Sequence, residues 1–176
     1  HRFNVQISVD GIEPSQALRA PGSFAVIDRL LDGLRQRHRG FFRRRVSIAV
    51  TVSAPAIPHL ADSFDYLLAK DVMDMAFTPA IGHPRLSDSQ LTELDRQFAR
   101  IFRRARAHYQ ATGEVPLALF RKQAPEAREA EESDLACAAT DGNNLVVDVD
   151  GEVYPCALLI RSCQRVARPA LARRLA

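Results

Sequence analysis

Apolar and polar residues alternate strictly at the start of the chain. Phe3, Val5, Ile7 and Val9 fall on one side of an extended backbone, and Asn4, Gln6, Ser8 and Asp10 fall on the other. The same period returns in "VSIAVTVS", residues 46 to 53, where Val46, Ile48, Val50 and Val52 oppose Ser47, Ala49, Thr51 and Ser53. It returns again in "VMDMAFTP", residues 72 to 79, where Met73, Met75 and Phe77 oppose Asp74, Ala76 and Thr78. Between these runs the period lengthens to that of a helix. Phe24, Ile27, Leu30, Leu31 and Leu34 follow Ser23, a capping residue, and run to a basic loop near Gly40. Ile57, Leu60, Phe64, Leu67 and Leu68 follow Pro55 and Pro58, which open a second helix. The stretch holding Pro14 and Pro21 reads as a loop.

Strand, helix, strand, helix, strand, with crossovers of this length, predicts parallel pairing and right-handed connections. The helices cover the three apolar faces. The remaining face is small and polar in all three strands, and burying it under a second helix layer would strand polar groups without water. A curved sheet around a solvated lumen avoids that cost. The predicted fold class is therefore α/β: a segment of a parallel, partial (β/α) barrel over residues 1–122, followed by a small cysteine-containing β-hairpin segment.

Ser87 and Gln90 have capping-box spacing, and Leu91, Leu94, Phe98, Ile101, Phe102, Ala105 and Tyr109 make a helical stripe that ends at Gly113. The charged run "RKQAPEAREAEESD" supplies a linker, residues 123–136. In the last part, 137–176, residues 145–149 and 152–156 are strand-like around Asp150-Gly151, a pair that favours a two-residue hairpin turn. Such a hairpin brings Cys137 and Cys156 to one end, which is half of a zinc or iron-sulfur site or else two unrelated buried thiols.

Composition narrows the classes. The chain has 176 residues, 47% apolar and 26% charged, with a net charge of +3. No apolar run reaches the roughly 18 residues of a membrane span, and no secretory leader is present, so the expectation is a cytoplasmic protein that does not engage membranes. Arginine clusters at Arg43-Arg44-Arg45, Arg103-Arg104 and Arg173-Arg174 lack interleaved aromatics and are balanced by acidic residues, which argues against nucleic acid as a partner. They read as helix ends and solvated faces. Three cysteines, Cys137, Cys156 and Cys163, argue against a disulfide framework. Asp62, Asp65, Asp71 and Asp74 read as solvent-side charges rather than paired catalytic carboxylates, and His59, His83 and His108 show no ligand spacing. The start at His1, almost directly in a strand, reads as an excerpt from a longer protein.

Two stretches resemble one family. Cys137, thirteen residues, Gly151, four residues and Cys156, with the local text "VDVDGEVYPC", resemble the opening of the SPASM or twitch auxiliary iron-sulfur domain of radical S-adenosylmethionine (radical SAM) enzymes. "ISVDG", followed by Arg19 and Gly22-Ser23-Phe24, resembles the segment at the fourth barrel strand of the same enzymes. The resemblance covers most of residues 3 to 156 and implies that the strand-helix part is the C-terminal half of the barrel. It implies that Ser8, Asp10 and Arg19 belong to the binding site for S-adenosyl-L-methionine, and that Cys137 and Cys156 ligate an auxiliary 4Fe-4S cluster. Cys163 is a third candidate ligand that the pattern does not place.

The family's catalytic cluster is held by C-x-x-x-C-x-x-C, and its glycine-rich strand binds the methionine amine. Neither occurs in this sequence. Asp71 stands where the family often has Gly, and the His-Asp pair usual before the arginine is missing. The resemblance thus implies a parent enzyme that reductively cleaves the cofactor to a deoxyadenosyl radical and modifies a peptide or protein, with a ferredoxin or flavodoxin as electron donor. This chain alone is expected to be inactive. Two other readings stay open: a non-catalytic module that holds a metal or cluster and serves as a docking surface, and a truncated, inactive product.

Overall fold

The computed structural model describes residues 3–80, 85–121, 146–147 and 151–156. The chain divides into two compact units, His1–Gln123 and Ala124–Ala176. The first is mixed α/β, built on a three-stranded parallel sheet in the order β1 (Val5–Ser8), β2 (Val46–Val52), β3 (Met75–Pro79). The register pairs Ile7 with Ile48 and Ile48 with Met75, so the apolar positions of the three strands lie side by side. With Val9, Val50 and Val72 they form the sheet's half of the core.

Helices supply the other half, with Phe42 of the segment 39–45 among their residues. Leu31 comes from α2 (Phe24–Arg37), Leu60, Phe64 and Leu67 from α4 (Leu60–Ala69), and Ile101 and Ala105 from α5 (Asp88–Thr112). The opposite face of the sheet has no buried residue: Gln6, Ser8 and Thr78 are exposed, and Ser47, Ala49, Thr51 and Ala76 are half-buried. Each fully buried Ile, Leu or Phe contributes about 1.5–3 kcal/mol, and all of that burial lies on the helix side.

Two loops expected from the sequence are helical. Residues Glu13–Arg19 form α1 because Pro14 occupies the first turn, where its missing N–H costs nothing and its fixed φ suits a helix. The basic stretch forms α3 (Arg39–Arg45), which buries Phe42 and turns Arg43 towards acidic partners. Ser23 stands at the start of α2 but makes no capping bond there; its Oγ donates to the Ala20 carbonyl instead.

Helix α5 has the expected capping box at Ser87 and Gln90, and Gly113 closes it at φ 75°. Its buried stripe is rotated from the expected one. Gln97, Ile101 and Ala105 are buried, whereas Leu91, Phe102 and Tyr109 are about half exposed. Gln97 takes the centre because it satisfies a backbone joint: a 3-10 turn, Ala54–His59, runs directly into α4. Its Oε1 accepts from the Ala61 N–H at 3.0 Å, and its Nε2 donates to the Pro58 carbonyl at 3.1 Å. An aliphatic side chain there would leave buried polar groups unmade.

Ion pairs tie the outer helices together. Lys70 reaches Asp28 at 2.6 Å and Asp32 at 2.8 Å, and the Tyr66 hydroxyl donates to Asp28 at 2.7 Å, joining α2 to α4. Arg43 pairs with Asp71 through Nη1 and with both Glu114 carboxylate oxygens through Nη2, joining α3 to the turns before β3 and after α5. Asp71 has φ 67°, a left-handed conformation that glycine adopts without cost, and the Arg39 and Arg43 guanidiniums hold its carboxylate there. Asp62, Asp65 and Asp74 pair with Arg100, Arg104 and Arg121.

In the second unit, β4 (Val146–Val147) pairs antiparallel with β5 (Val153–Tyr154). Val146 faces Tyr154 and Val147 faces Val153, which leaves five residues between the paired positions. A two-residue Asp150-Gly151 turn would pair Val147 with Tyr154, so the register differs by one residue from the expectation. Gly151 has φ 86°, so the turn bends at the glycine, but a loop of odd length shifts the pairing.

Two stability predictions follow from this packing. The first contrasts two glycines of positive φ. A Cβ on Gly11 (φ 99°) would sit 2.1 Å from the Ser63 Cβ, whereas one on Gly113 would meet nothing within 4 Å. Gly11→Ala is expected to cost about 3 kcal/mol or more, from strain plus overlap, and Gly113→Ala about 1 kcal/mol, measured by urea unfolding.

The second concerns pH. Hydrogen bonds from Lys70 and Tyr66 hold the Asp28 carboxyl below the usual range, and the hydrogen bonds from Arg43 do the same for Glu114. Burial and the Asp28 contact push the Tyr66 hydroxyl well above its ordinary value; burial alone would lower Lys70, but its bonds to Asp28 and Asp32 outweigh that and raise it. The carboxylates therefore add stability that is present above their ordinary values near 4 and is lost as pH falls below them. Tyr66 and Lys70 add stability that is present below about 10 and is lost as pH rises past it. Urea midpoints should decline on both sides, and Tyr66→Phe should flatten the alkaline decline and also soften the acid one, because it removes one of the two donors to Asp28.

Candidate functional site

The carboxyl ends of parallel strands are where an open α/β sheet or a barrel presents its site. At this rim β1 runs into Val9, Asp10 and Gly11. Asp10 is only 6% exposed, and its carboxylate is fully engaged. It accepts from Arg19 Nε and Nη2, both at 3.0 Å, and from the Thr51 backbone N–H at 2.8 Å. The forked geometry is the strong form of an arginine-carboxylate pair. Arg19 Nη2 also donates to Thr51 Oγ1, so one guanidinium spans the ends of β1 and β2.

Behind the fork a second layer fixes the loop. Gln16, buried in α1, accepts from the Asp10 N–H at 2.9 Å and donates to Ser23 Oγ at 2.9 Å. Ser63 Oγ accepts from the Ile12 N–H at 3.3 Å, and Gly11 lies directly against Ser63, which explains why no side chain fits at that position. The "VDG" text and the downstream arginine are thus first a loop lock. Asp10 is turned into the lock rather than towards solvent, and Arg19 keeps a third of its side chain exposed.

Ser8 is placed differently. It lies on the open face of the sheet, exposed, and its register partners across the sheet are Ala49 and then Ala76. The next positions towards the rim are Thr51 and Thr78, themselves paired. A floor of two alanines with hydroxyls on its side and along its end leaves room for a ligand and offers it hydrogen-bond partners. The structure therefore brings Ser8, Arg19 and Thr51 to one rim.

Of the cysteines, Cys156 is described, free and half-buried at the end of the hairpin. Cys137 and Cys163 lie outside the described residues. Among the described residues no three His, Cys, Asp or Glu side chains come together in a way that could hold a metal ion. No described helix is long and apolar enough to cross a membrane.

The sequence reading missed Gln16 and Ser63 and placed Thr51 only as one of several polar-face residues. Pro14 directly after Glu13 was the available signal for α1 and for a buried Gln16. Nothing local points to Thr51, which meets Asp10 across 41 positions. No protein-family model, curated protein or solved structure matches the chain.

The lock and the open face separate by mutation. Asp10→Ala leaves the Thr51 N–H and the Arg19 fork unpaired and is expected to cost about 2 kcal/mol. Ser8→Ala removes an exposed hydroxyl that supports nothing and should stay within about 0.5 kcal/mol of the parent in the same urea titration.

Proposed function

We propose that residues 1–122 are strand-helix units of a parallel (β/α) barrel or partial barrel of radical SAM type, and that the cysteine segment belongs to an auxiliary iron-sulfur domain. The observation that carries the barrel is the unfinished side of the sheet at β1. Ile48, Val50 and Met75 are at most 1% exposed, whereas Val5 and Ile7, on the same face, are only half-buried. In α2, Asp28 and Phe24 face α4, and Ile27, Leu31 and Leu34 face the core. Helical spacing then turns Val26 and Leu30, 60% and 48% exposed, away from α4 and past the β1 edge. An edge strand and an apolar helix flank on one side are what another parallel strand and its helix would cover.

The open polar face supports the cofactor reading. Ser8 and Thr51 offer hydroxyls suited to a ribose, and the exposed part of the Arg19 guanidinium is suited to a carboxylate. Asp10, Gln16 and Ser63 act on that reading as positioning groups, holding Arg19 at the rim. The residues thus fit the adenosyl and carboxylate parts of S-adenosylmethionine. Bound to a reduced cluster, that cofactor supplies a hydrogen-abstracting radical for modification of a peptide or protein substrate. The three cysteines that hold such a cluster do not occur in this sequence. Cys156, with Cys137 and Cys163 in the same segment, supplies thiolates for an auxiliary cluster.

Two measurements test this. Anaerobic reconstitution with iron and sulfide should give bound iron, bound sulfide and broad visible absorption, and Cys156→Ser should remove at least half of the iron. One equivalent of zinc without colour would overturn the cluster. The reading frame upstream of the His1 codon should continue for roughly three further strand-helix units and encode C-x-x-x-C-x-x-C. A stop codon directly upstream would overturn the barrel.

A further inference from the structure

A concave apolar site on the outside of the first unit plays no part in the reading above. Phe102, Ala105, Arg106 and Tyr109 recur at i, i+3, i+4 and i+7, so they share one face of α5, and Val115, Phe120 and Arg121 form the facing wall. Together they enclose about 530 Å³, within the range of small-molecule sites. Phe102 and Phe120 meet edge to face at 5.6 Å, which sets the two walls against each other. Phe102 and Tyr109 nevertheless remain half exposed.

The polar groups of this site are unequal. Arg121 has spent its charge: it pairs with Asp74 at 3.0 Å and donates to the Val115, Met73 and Pro116 carbonyls, so that only its stem serves the wall. Arg106 has no ion-pair or hydrogen-bond partner among the described residues, and neither has the Tyr109 hydroxyl one turn on. Among the described residues no Asp or Glu lines the cavity. An apolar hollow with one unspent guanidinium at its mouth, and a hydroxyl beside it, has the charge complement of a single anion on an apolar body.

We propose that this cavity binds an apolar monocarboxylate of medium-chain alkyl type. Its carboxylate bonds to the Arg106 fork and the Tyr109 hydroxyl, and its chain lies against Phe102, Ala105, Val115 and Phe120. Membership of a barrel enzyme is not required for this site, because every lining residue belongs to α5 and the turns after it.

The test titrates the full 176-residue chain with the dye anilinonaphthalene sulfonate and displaces the dye with decanoate or with decanol. Decanoate should displace it at about a tenfold lower concentration than decanol. Arg106→Gln should erase that difference while leaving the decanol midpoint in place. Phe102→Ser should weaken both dye and decanoate at least tenfold; since Phe102 is half exposed, this variant keeps its circular dichroism spectrum. Equal displacement by acid and alcohol in the parent chain would overturn the proposal, as would dye binding that Phe102→Ser leaves unchanged.

Discussion

Right-handed crossovers between successive parallel strands laid down in one direction return over the same face of the sheet. In this chain that face has to be the apolar one, because Val46, Ile48, Val50 and Met75 present the groups whose removal from water drives folding. The helices of the core, α2, α3, α4 and α5, therefore stack on one side. The other side keeps its serines, alanines and threonines in contact with water. A second helix layer would have to pair every one of those hydroxyls, at a cost of about 1–3 kcal/mol for each left unmade.

That asymmetry places the demand for precision at the strand ends. A two-faced sheet has no second layer to brace the loops at its rim, and a buried carboxylate does the bracing instead. Asp10 collects two guanidinium donors and one backbone donor, Gln16 fixes its N–H, and Gly11 lets the chain pass against Ser63. Since the paired charges satisfy one another, the arrangement tolerates burial. It also holds the Arg19 guanidinium on the open side, so the residue that stabilises the loop is also the one that shapes the rim.

The arginines show how mild net charge conceals specific use. Arg39, Arg43, Arg100, Arg104 and Arg121 each face a carboxylate from another element, which accounts for all four of Asp62, Asp65, Asp71 and Asp74. Exposed pairs of this kind add little stability individually, but a guanidinium that bridges two carboxylates, as Arg43 does between Asp71 and Glu114, constrains where the turn after α5 meets α3. Arg106 stands outside this pattern, next to the aromatic hollow.

What the sequence determined by itself was local. The three alternating runs, the capping box at Ser87 and the glycine stop of α5 were legible because each is decided by residues within a turn or a strand of one another. Proline at the first turn of α1 was a local signal too, though the loop reading set it aside. Tertiary structure alone decided the rotation of α5, where a buried Gln97 serves a backbone joint 36 residues away and displaces Phe102 to the surface. It also decided that the Asp10 carboxylate faces Arg19 and the Thr51 N–H instead of the open face. Periodicity reports which side of an element is apolar, but not which partner element competes for that side. The pairing of buried polar groups is settled only when distant segments meet and each donor must find its acceptor.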